Sequence, residues 1–364
     1  MHQDAKPSGS ELLITLTKRQ ATESLVLRLA RQGAAGVRLI AKGFRPAEYR
    51  ARYDTLLQAG RSVRKDFRII VDLPGGKPRI SSAADDFEVL RDERLLLCGE
   101  DDQSAASDVR AVGTVGLMSY LLDFEIGDRV LVSDGAILLR VLNFGPEVGG
   151  VLVRVESPGG GVTASRSINL PDTIRRQPRL HYASRGDDDG VLVAFERDSD
   201  VEVAVSMVAV AQDVERVRNM LPDARVLAKI ESQGGVDNVT RIARAADELI
   251  VARADLSIEI GPEKVGAATE TILRAAEDAG RPAMVAAGFL ESLEHSDRPR
   301  IAEATDLWYQ HRLGVRRFLL SGDVCVQRPL EAVSVARSYL DSWDERDADP
   351  TDDSRSGRSA RDRS

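Results

Sequence analysis

ARVLAKIESQGGVDNVTRIARAADELIVARAD, residues 224–255, holds a strand, a helix and a second strand in 32 residues. The apolar run Ala224–Ile230 reads as one strand. Gly235–Ala245 has helical spacing, and Glu248–Ala252 reads as the next strand. Two strands joined by a crossover helix must run parallel. The same alternation continues outward. Towards the N-terminus it predicts a strand at Val201–Met207 with a helix at Ala211–Leu221, and a helix at Asp187–Arg197. Towards the C-terminus it predicts helices at Pro262–Gly280, Arg300–Leu313 and Pro329–Trp343, with strands at Ala283–Ala287 and Arg317–Leu320.

The first part of the chain repeats the pattern, with strands at Leu12–Leu16, Gly36–Ile40 and Phe67–Asp72 and helices at Ala21–Gln32 and Pro46–Val63. Pro46 opens its helix at the position where a missing N–H costs nothing. From Pro78 to Asp172 the helical period disappears, and short strands and turn signals replace it. Eight strands outside that stretch predict an α/β fold, a TIM-type (β/α)8 barrel with a small β domain inserted after strand 3. The expected boundaries are 11–77 and 173–345 for the discontinuous barrel, 78–172 for an inserted β-barrel-like lid domain, and 346–364 for a disordered tail.

The formal net charge of −8 over 364 residues disfavours a nucleic-acid partner, which needs basic patches for phosphate. No run of 18 apolar residues predicts a membrane span, and Met1–Ser10 lacks the apolar core of a signal peptide. Cys98 and Cys325 lie outside any CxxC or His-rich context and read as reduced thiols, so the expected location is cytoplasmic. Of the 50 basic residues only seven are Lys (6, 18, 42, 65, 77, 229, 264), which makes each Lys a less casual choice.

Barrel active sites lie at the C-terminal ends of the strands. Strand two ends near Arg38, strand three in Asp72, strand five in Lys229-Ile230-Glu231 and strand six in Arg253-Ala254-Asp255. Lys229 and Glu231 are two apart and so share a strand face. Asp255, read as the end of the neighbouring strand, can converge with Glu231. Two carboxylates suit Mg²⁺, which keeps waters and substrate oxygens in its shell, and Lys229 adds a compact positive charge. The alternative reading is that Lys229 and Glu231 form a structural ion pair while Asp255 caps the following helix.

Several segments resemble the pyruvate kinase family, in order from about Leu12 to Leu340. LAKIESQGGVDN (227–238) resembles its KIEN stretch, and ELIVARADLSIEIGPEKV (248–265) its ARGDLGIEI signature. FLESLEHSDRPRIAEATD (289–306) resembles MLES…RPTRAE, and LLSGDVCVQRPLEAV (319–333) resembles SGET…YPLEAV. VDLPGGKPRI (71–80), AGVRLI (35–40), VLVSDG (130–135) and INLPD (168–172) look like DLxGPKIR, AxVARLN, VDDG and NLPG. The resemblance implies Mg²⁺- or Mn²⁺-dependent phosphoryl transfer between phosphoenolpyruvate and ADP. Phosphoenolpyruvate, pyruvate or a related 2-oxo acid would sit at the barrel mouth, with ADP or ATP between barrel and insert. It implies Lys229 as the catalytic cation, Glu231 and Asp255 as metal ligands, Arg38 at the substrate phosphate, and Arg79 and Arg166 at the nucleotide. Ala254 and Ala287 occupy the substrate-carboxylate positions. Family members that need no K⁺ carry a Lys where Lys77 stands, so Asp72 and Lys77 are expected to replace a monovalent-cation site and K⁺ is not required. Any homo-oligomer would form through the barrel.

This chain also departs from the family pattern. The carboxylate-binding Gly is Ala254, and the Thr that holds the same carboxylate is Ala287. The strand-three Thr is Leu73, and the monovalent-cation ligands Asn and Ser are Ile40 and Lys42. The strand-four Arg is Ala209, Thr-Arg of RPTRAE is Arg300-Ile301, and the Lys before NLPG is Arg166. No counterpart of the family's C-terminal regulatory domain is expected after the eighth helix. Two further functions are weighed on these losses: a repurposed Mg²⁺-dependent 2-oxo acid or enolate lyase or decarboxylase, and a non-catalytic metabolite-binding protein. Retention of Lys229, Glu231 and Asp255 argues against the latter.

Overall fold

The computed structural model describes residues 9–82, 84–100, 109–158, 160–176, 186–196, 198 and 200–348. Eight strands close a barrel. They are β1 Glu11–Leu16, β2 Gly36–Ile40, β3 Arg68–Asp72 and β4 Glu202–Val205. The remaining four are β5 Arg225–Ile230, β6 Glu248–Ala252, β7 Ala283–Ala286 and β8 Arg317–Leu320. The order around the barrel is β1-β8-β7-β6-β5-β4-β3-β2, so every strand lies beside its neighbour in sequence. The pairs β1–β8, β1–β2, β4–β5, β5–β6 and β7–β8 are parallel. This is the TIM-type (β/α)8 architecture, and it follows from strands apolar on both faces: Val226–Ile230 and all of Glu248–Ala252 are buried.

The described residues fall into two units: up to Ile40 with Arg50–Ile70 and everything from Ala283, and Ala41–Tyr49 with Val71–Pro282. In the first unit Phe318 of β8 and Phe289 meet edge to face at 5.8 Å. Its last helix, Pro329–Ala348, runs further than the expected end at Trp343 and into the segment expected to be disordered from 346. The reason is an anchor. Asp344 accepts hydrogen bonds from Ser10 N at 2.7 Å and Ser10 Oγ at 2.9 Å, and its Oδ1 lies 2.9 Å from His311 Nε2. The rest of that expected tail, 349–364, lies outside the described residues.

The second unit holds β4, β5 and β6 together with a seven-stranded sheet built between Arg79 and Asn169. The strands Arg94–Gly99 and Arg110–Val115 in this sheet were not foreseen from sequence. The sheet curls until its two ends meet. Arg79 bridges Ser167, Ile80 N–H donates to Arg166 O at 2.9 Å, and Ile168 N–H donates to Pro78 O at 2.8 Å. Leu95, Leu97, Val130, Leu139, Val141, Val151 and Val153 fill its interior, and Met207 from the segment after β4 packs with them.

Among the short helices not foreseen, two bear on the site. Pro171–Arg176 begins inside the stretch expected to be all β, with proline at its first turn. Arg253–Ile260 begins directly after β6, so Asp255 does not end a strand but sits in the first turn of a helix.

Candidate active site

The strand-end residues of the second unit form one network of charge. β5 carries Lys229 and delivers the chain to Glu231. Lys229 Nζ lies 2.9 Å from Asp72 Oδ1, at the end of β3, and 3.4 Å from Glu231 Oε1. All three residues are buried, at 5, 6 and 3 % exposure, so their attraction is poorly screened and the loss of any one would strand the others. The shared face expected for Lys229 and Glu231 is therefore present.

Glu231 is held by backbone as well. Met207 N–H donates to its Oε2 at 2.5 Å. Met207 adopts φ 56, a left-handed conformation that ends the strand earlier than the expected Val201–Met207. Burial pushes the Glu231 carboxyl above the usual range; Lys229 opposes that, and the nearby charge of Asp255 adds to it. Glu231 and Asp255 thus act on each other electrostatically even though one follows a strand and the other opens a helix.

After β5 the chain turns into a helix at Gln233–Asp237, which Ser232 caps by accepting from Gly235 N–H at 3.2 Å. A Cβ at Gly235 would lie 2.6 Å from Val208 O, so only glycine allows the helix to start this close to the strand end.

Lys77 comes from the loop after β3. Its Nζ is 2.5 Å from Asp255 Oδ1, and its side chain is 8 % exposed. Lys77 was expected with Asp72 as a substitute for a monovalent-cation site. The structure binds the Lys77 ammonium to Asp255 and Asp72 to Lys229. Arg79, two residues on, is half-buried; burial lowers its pKa, while Asp255 and Asp134 raise it. Arg166 stands across the sheet seam, where Nε donates to Thr163 Oγ1 at 3.2 Å and Nη1 is 3.7 Å from Asp134. Lys42 donates to Ser165 O at 3.4 Å, and its pKa is lowered by burial and then by Arg79 and Arg166. Lys42 thus joins the two arginines expected at a nucleotide.

Glu259 was missed. It lies four residues after Asp255, on the same face of Arg253–Ile260. Asn169 Nδ2, from the last strand of the curled sheet, donates to its Oε1 at 2.6 Å. Burial is the main cause that pushes the Glu259 carboxyl up to about 7; Asn169 and Lys77 oppose it, and Asp255 and Glu231 add to it. The i, i+4 spacing of Asp255 and Glu259 was the signal available in sequence, hidden by reading Asp255 as a strand end. Ala254 is exposed in the first turn of that helix, where backbone N–H groups lack helical partners.

The first unit holds the other expected residues. Arg38 lies on β2 opposite Thr15 of β1 and is half-buried. Ala287 directly follows β7 with φ 69, and Gly288 and Leu290 follow with φ 79 and 58. Ala287 is buried, and its N–H donates to Leu319 O at 3.4 Å. Both cysteines are buried, and burial pushes the Cys325 thiol up to about 12.

Residues 9–333 match the family described as "Pyruvate kinase, barrel domain". The chain belongs to the pyruvate kinase family. It is 25% identical over 334 residues to the pyruvate kinase of Staphylococcus epidermidis (strain ATCC 35984), covering 90% of this chain and 56% of that one. It is 27% identical over 334 residues to the pyruvate kinase of Sporosarcina psychrophila, with coverage of 89% and 55%. The pyruvate kinase of Bacillus licheniformis is 26% identical over 304 residues, with coverage of 82% and 51%. The chain therefore spans about half the length of the curated relatives it matches. No helix among the described residues is long and apolar enough to cross a membrane.

Proposed function

We propose that this family member carries out Mg²⁺- or Mn²⁺-dependent phosphoryl transfer between phosphoenolpyruvate and ADP. One observation carries the reading: a buried ammonium, Lys229, held between Asp72 and Glu231 where the barrel strands end. Phosphoryl transfer asks the protein for position and charge neutralisation rather than covalent chemistry, and a fixed, desolvated cation supplies both.

The donor set fits a divalent cation of the Mg²⁺ type. Among the described residues no group of three or more Asp, Glu, His or Cys forms a cage. Glu231 and Asp255 form a two-carboxylate site, as suits an ion that keeps waters and substrate oxygens. Burial is the main cause that raises the pKa of Glu231, and the charge of Asp255 adds to it, so a cation between the two carboxylates would be favourable. Glu231 and Asp255 would hold the ion, which when bound would neutralise charge on the phosphoryl oxygens. Lys229 would face the phosphoryl group in transit and the enolate oxygen left behind. Arg79 and Arg166, with Lys42 beside them, would bind the polyphosphate of the nucleotide. Ile40 and Leu73 offer no side-chain oxygen to K⁺, and Lys77 supplies a covalently tethered charge, so activity would not require K⁺.

The test is a coupled assay with phosphoenolpyruvate, ADP and Mg²⁺, run in K⁺ and in tetramethylammonium. Pyruvate formation in both salts is the expected result. No pyruvate in either salt sinks the reading, and strong activation by K⁺ sinks the part assigned to Lys77.

A further inference from the structure

We infer that Lys77 is a built-in counter-cation on Asp255, one that competes with a divalent ion for that carboxylate and so lowers the affinity of the site for such ions. The inference rests on Glu231 and Asp255 being the divalent-cation carboxylates.

The backbone beneath Lys77 is pinned on both sides. Gly75 N–H donates to Asp188 Oδ1 at 3.2 Å. Gly75 has φ +65, and an added Cβ would come within 3.0 Å of Ser206 Cβ. Ser206 Oγ donates in turn to Leu73 O at 2.7 Å. On the other side Pro78 O accepts from Ile168 N–H at 2.8 Å, and Arg79 bridges Ser167 in the sheet seam. The loop is thus fixed at its base, and the flexible four-carbon stem carries the ammonium to Asp255 Oδ1 at 2.5 Å. The side chain is 8 % exposed, against 36 % for that of Asp255, so the charge lies on the inner side of the carboxylate.

This ammonium binds Asp255 directly, at 2.5 Å. A divalent ion on Asp255 would sit about 2.0–2.1 Å from its oxygen. There its charge would repel the Lys77 ammonium that lies 2.5 Å from the same carboxylate. The flexible stem lets the head group retreat, within limits set by its anchored backbone. In a chain with seven Lys against 43 Arg, a compact charge on a flexible stem is the residue type suited to that exchange.

The experiment is a Mn²⁺ titration of the full chain at one fixed pH, read by the magnetic resonance signal of free Mn²⁺. It compares wild type, Lys77→Met, Lys77→Arg, Asp255→Asn, Glu231→Gln and the Lys77→Met/Asp255→Asn double variant, each checked for a cooperative thermal melt. Removing one positive charge this close to two carboxylates should tighten Mn²⁺ binding by about tenfold or more. Lys77→Arg, which keeps the charge, should stay near wild type. In the Asp255→Asn background the gain from Lys77→Met should largely vanish, because the contact it releases is already gone. If Lys77→Met leaves Mn²⁺ affinity unchanged or weakens it while Glu231→Gln abolishes binding, the inference is wrong and the metal reading stands. If neither wild type nor Lys77→Met binds Mn²⁺, both fall.

Discussion

The end of β5 and the loop after β7 depart from the family pattern in opposite ways. Behind β5, Lys229, Asp72 and Glu231 remain locked together, buried and hydrogen-bonded into the backbone at Met207. Behind β7, the family's hydroxyl-bearing Thr is Ala287, and that residue holds a left-handed backbone at φ 69. The charged cluster is retained with its supports, whereas the side-chain hydroxyl after β7 is gone. Under the proposed function, this contrast separates a fixed cation for a phosphoryl group from the neutral donors that would select the rest of the substrate.

The sharpest way to break this contrast is Lys229→Met. Loss of a preorganised charge at a transferring group should lower turnover by on the order of a thousandfold. It should also lower the melting temperature, because Asp72 and Glu231 are left buried without their shared cation. Turnover near wild type in a folded Lys229→Met protein would remove β5 from the chemistry.

Glu259 sharpens the contrast through pH. Burial pushes its carboxyl up to about 7, above the ordinary value of 4.5. The protonated form is the one the fold prefers, so its contribution to stability is full below about pH 4.5 and is lost as pH rises through about 7. Glu259→Gln keeps an acceptor for Asn169 and removes the titration. The variant should therefore exceed wild type by about 3 kcal/mol at pH 8 and match it near pH 4.5, as measured by denaturant unfolding. A constant difference across that range would show that Glu259 does not titrate there.

Ala287 tests the other side. The loss of Thr suggests that Ala287→Thr would restore a donor, but a β-branched residue is strained at φ 69. Ala287→Thr should cost about 1–2 kcal/mol of stability, whereas Ala287→Gly should gain a few tenths to about 1 kcal/mol. Equal effects from both would show that the left-handed backbone is not what selects alanine. The smallest effect expected is that of exchanging K⁺ for tetramethylammonium, which should leave turnover almost unchanged if Lys77 supplies a tethered charge in place of the ion.

The strands were legible because a doubly covered parallel strand is a short apolar run, as in Val226–Ile230 and Leu249–Ala252. Lys229 and Glu231 were legible because strand period alone places them on one face. The helix Arg253–Ile260 was not, since it starts directly after the apolar run Leu249–Ala252 with no Gly, Pro or side-chain cap to mark the boundary. Glu259 was lost with it. The Lys77–Asp255 contact joins residues 178 apart, and no local pattern in either segment encodes it. Met207 was taken for the end of a strand because its composition is apolar; its positive φ answers to Glu231, which lies 24 residues further on.

The proposed role of Lys229 in phosphoryl transfer from phosphoenolpyruvate is tested most directly by phosphorus resonance spectra of phosphoenolpyruvate, ADP and Mg²⁺ incubated with wild type and with Lys229→Met. The wild type should convert the phosphoenolpyruvate signal into the three phosphate signals of ATP, and Lys229→Met should leave it in place. An unchanged phosphoenolpyruvate signal with the wild type, or equal ATP formation by both proteins, would contradict it.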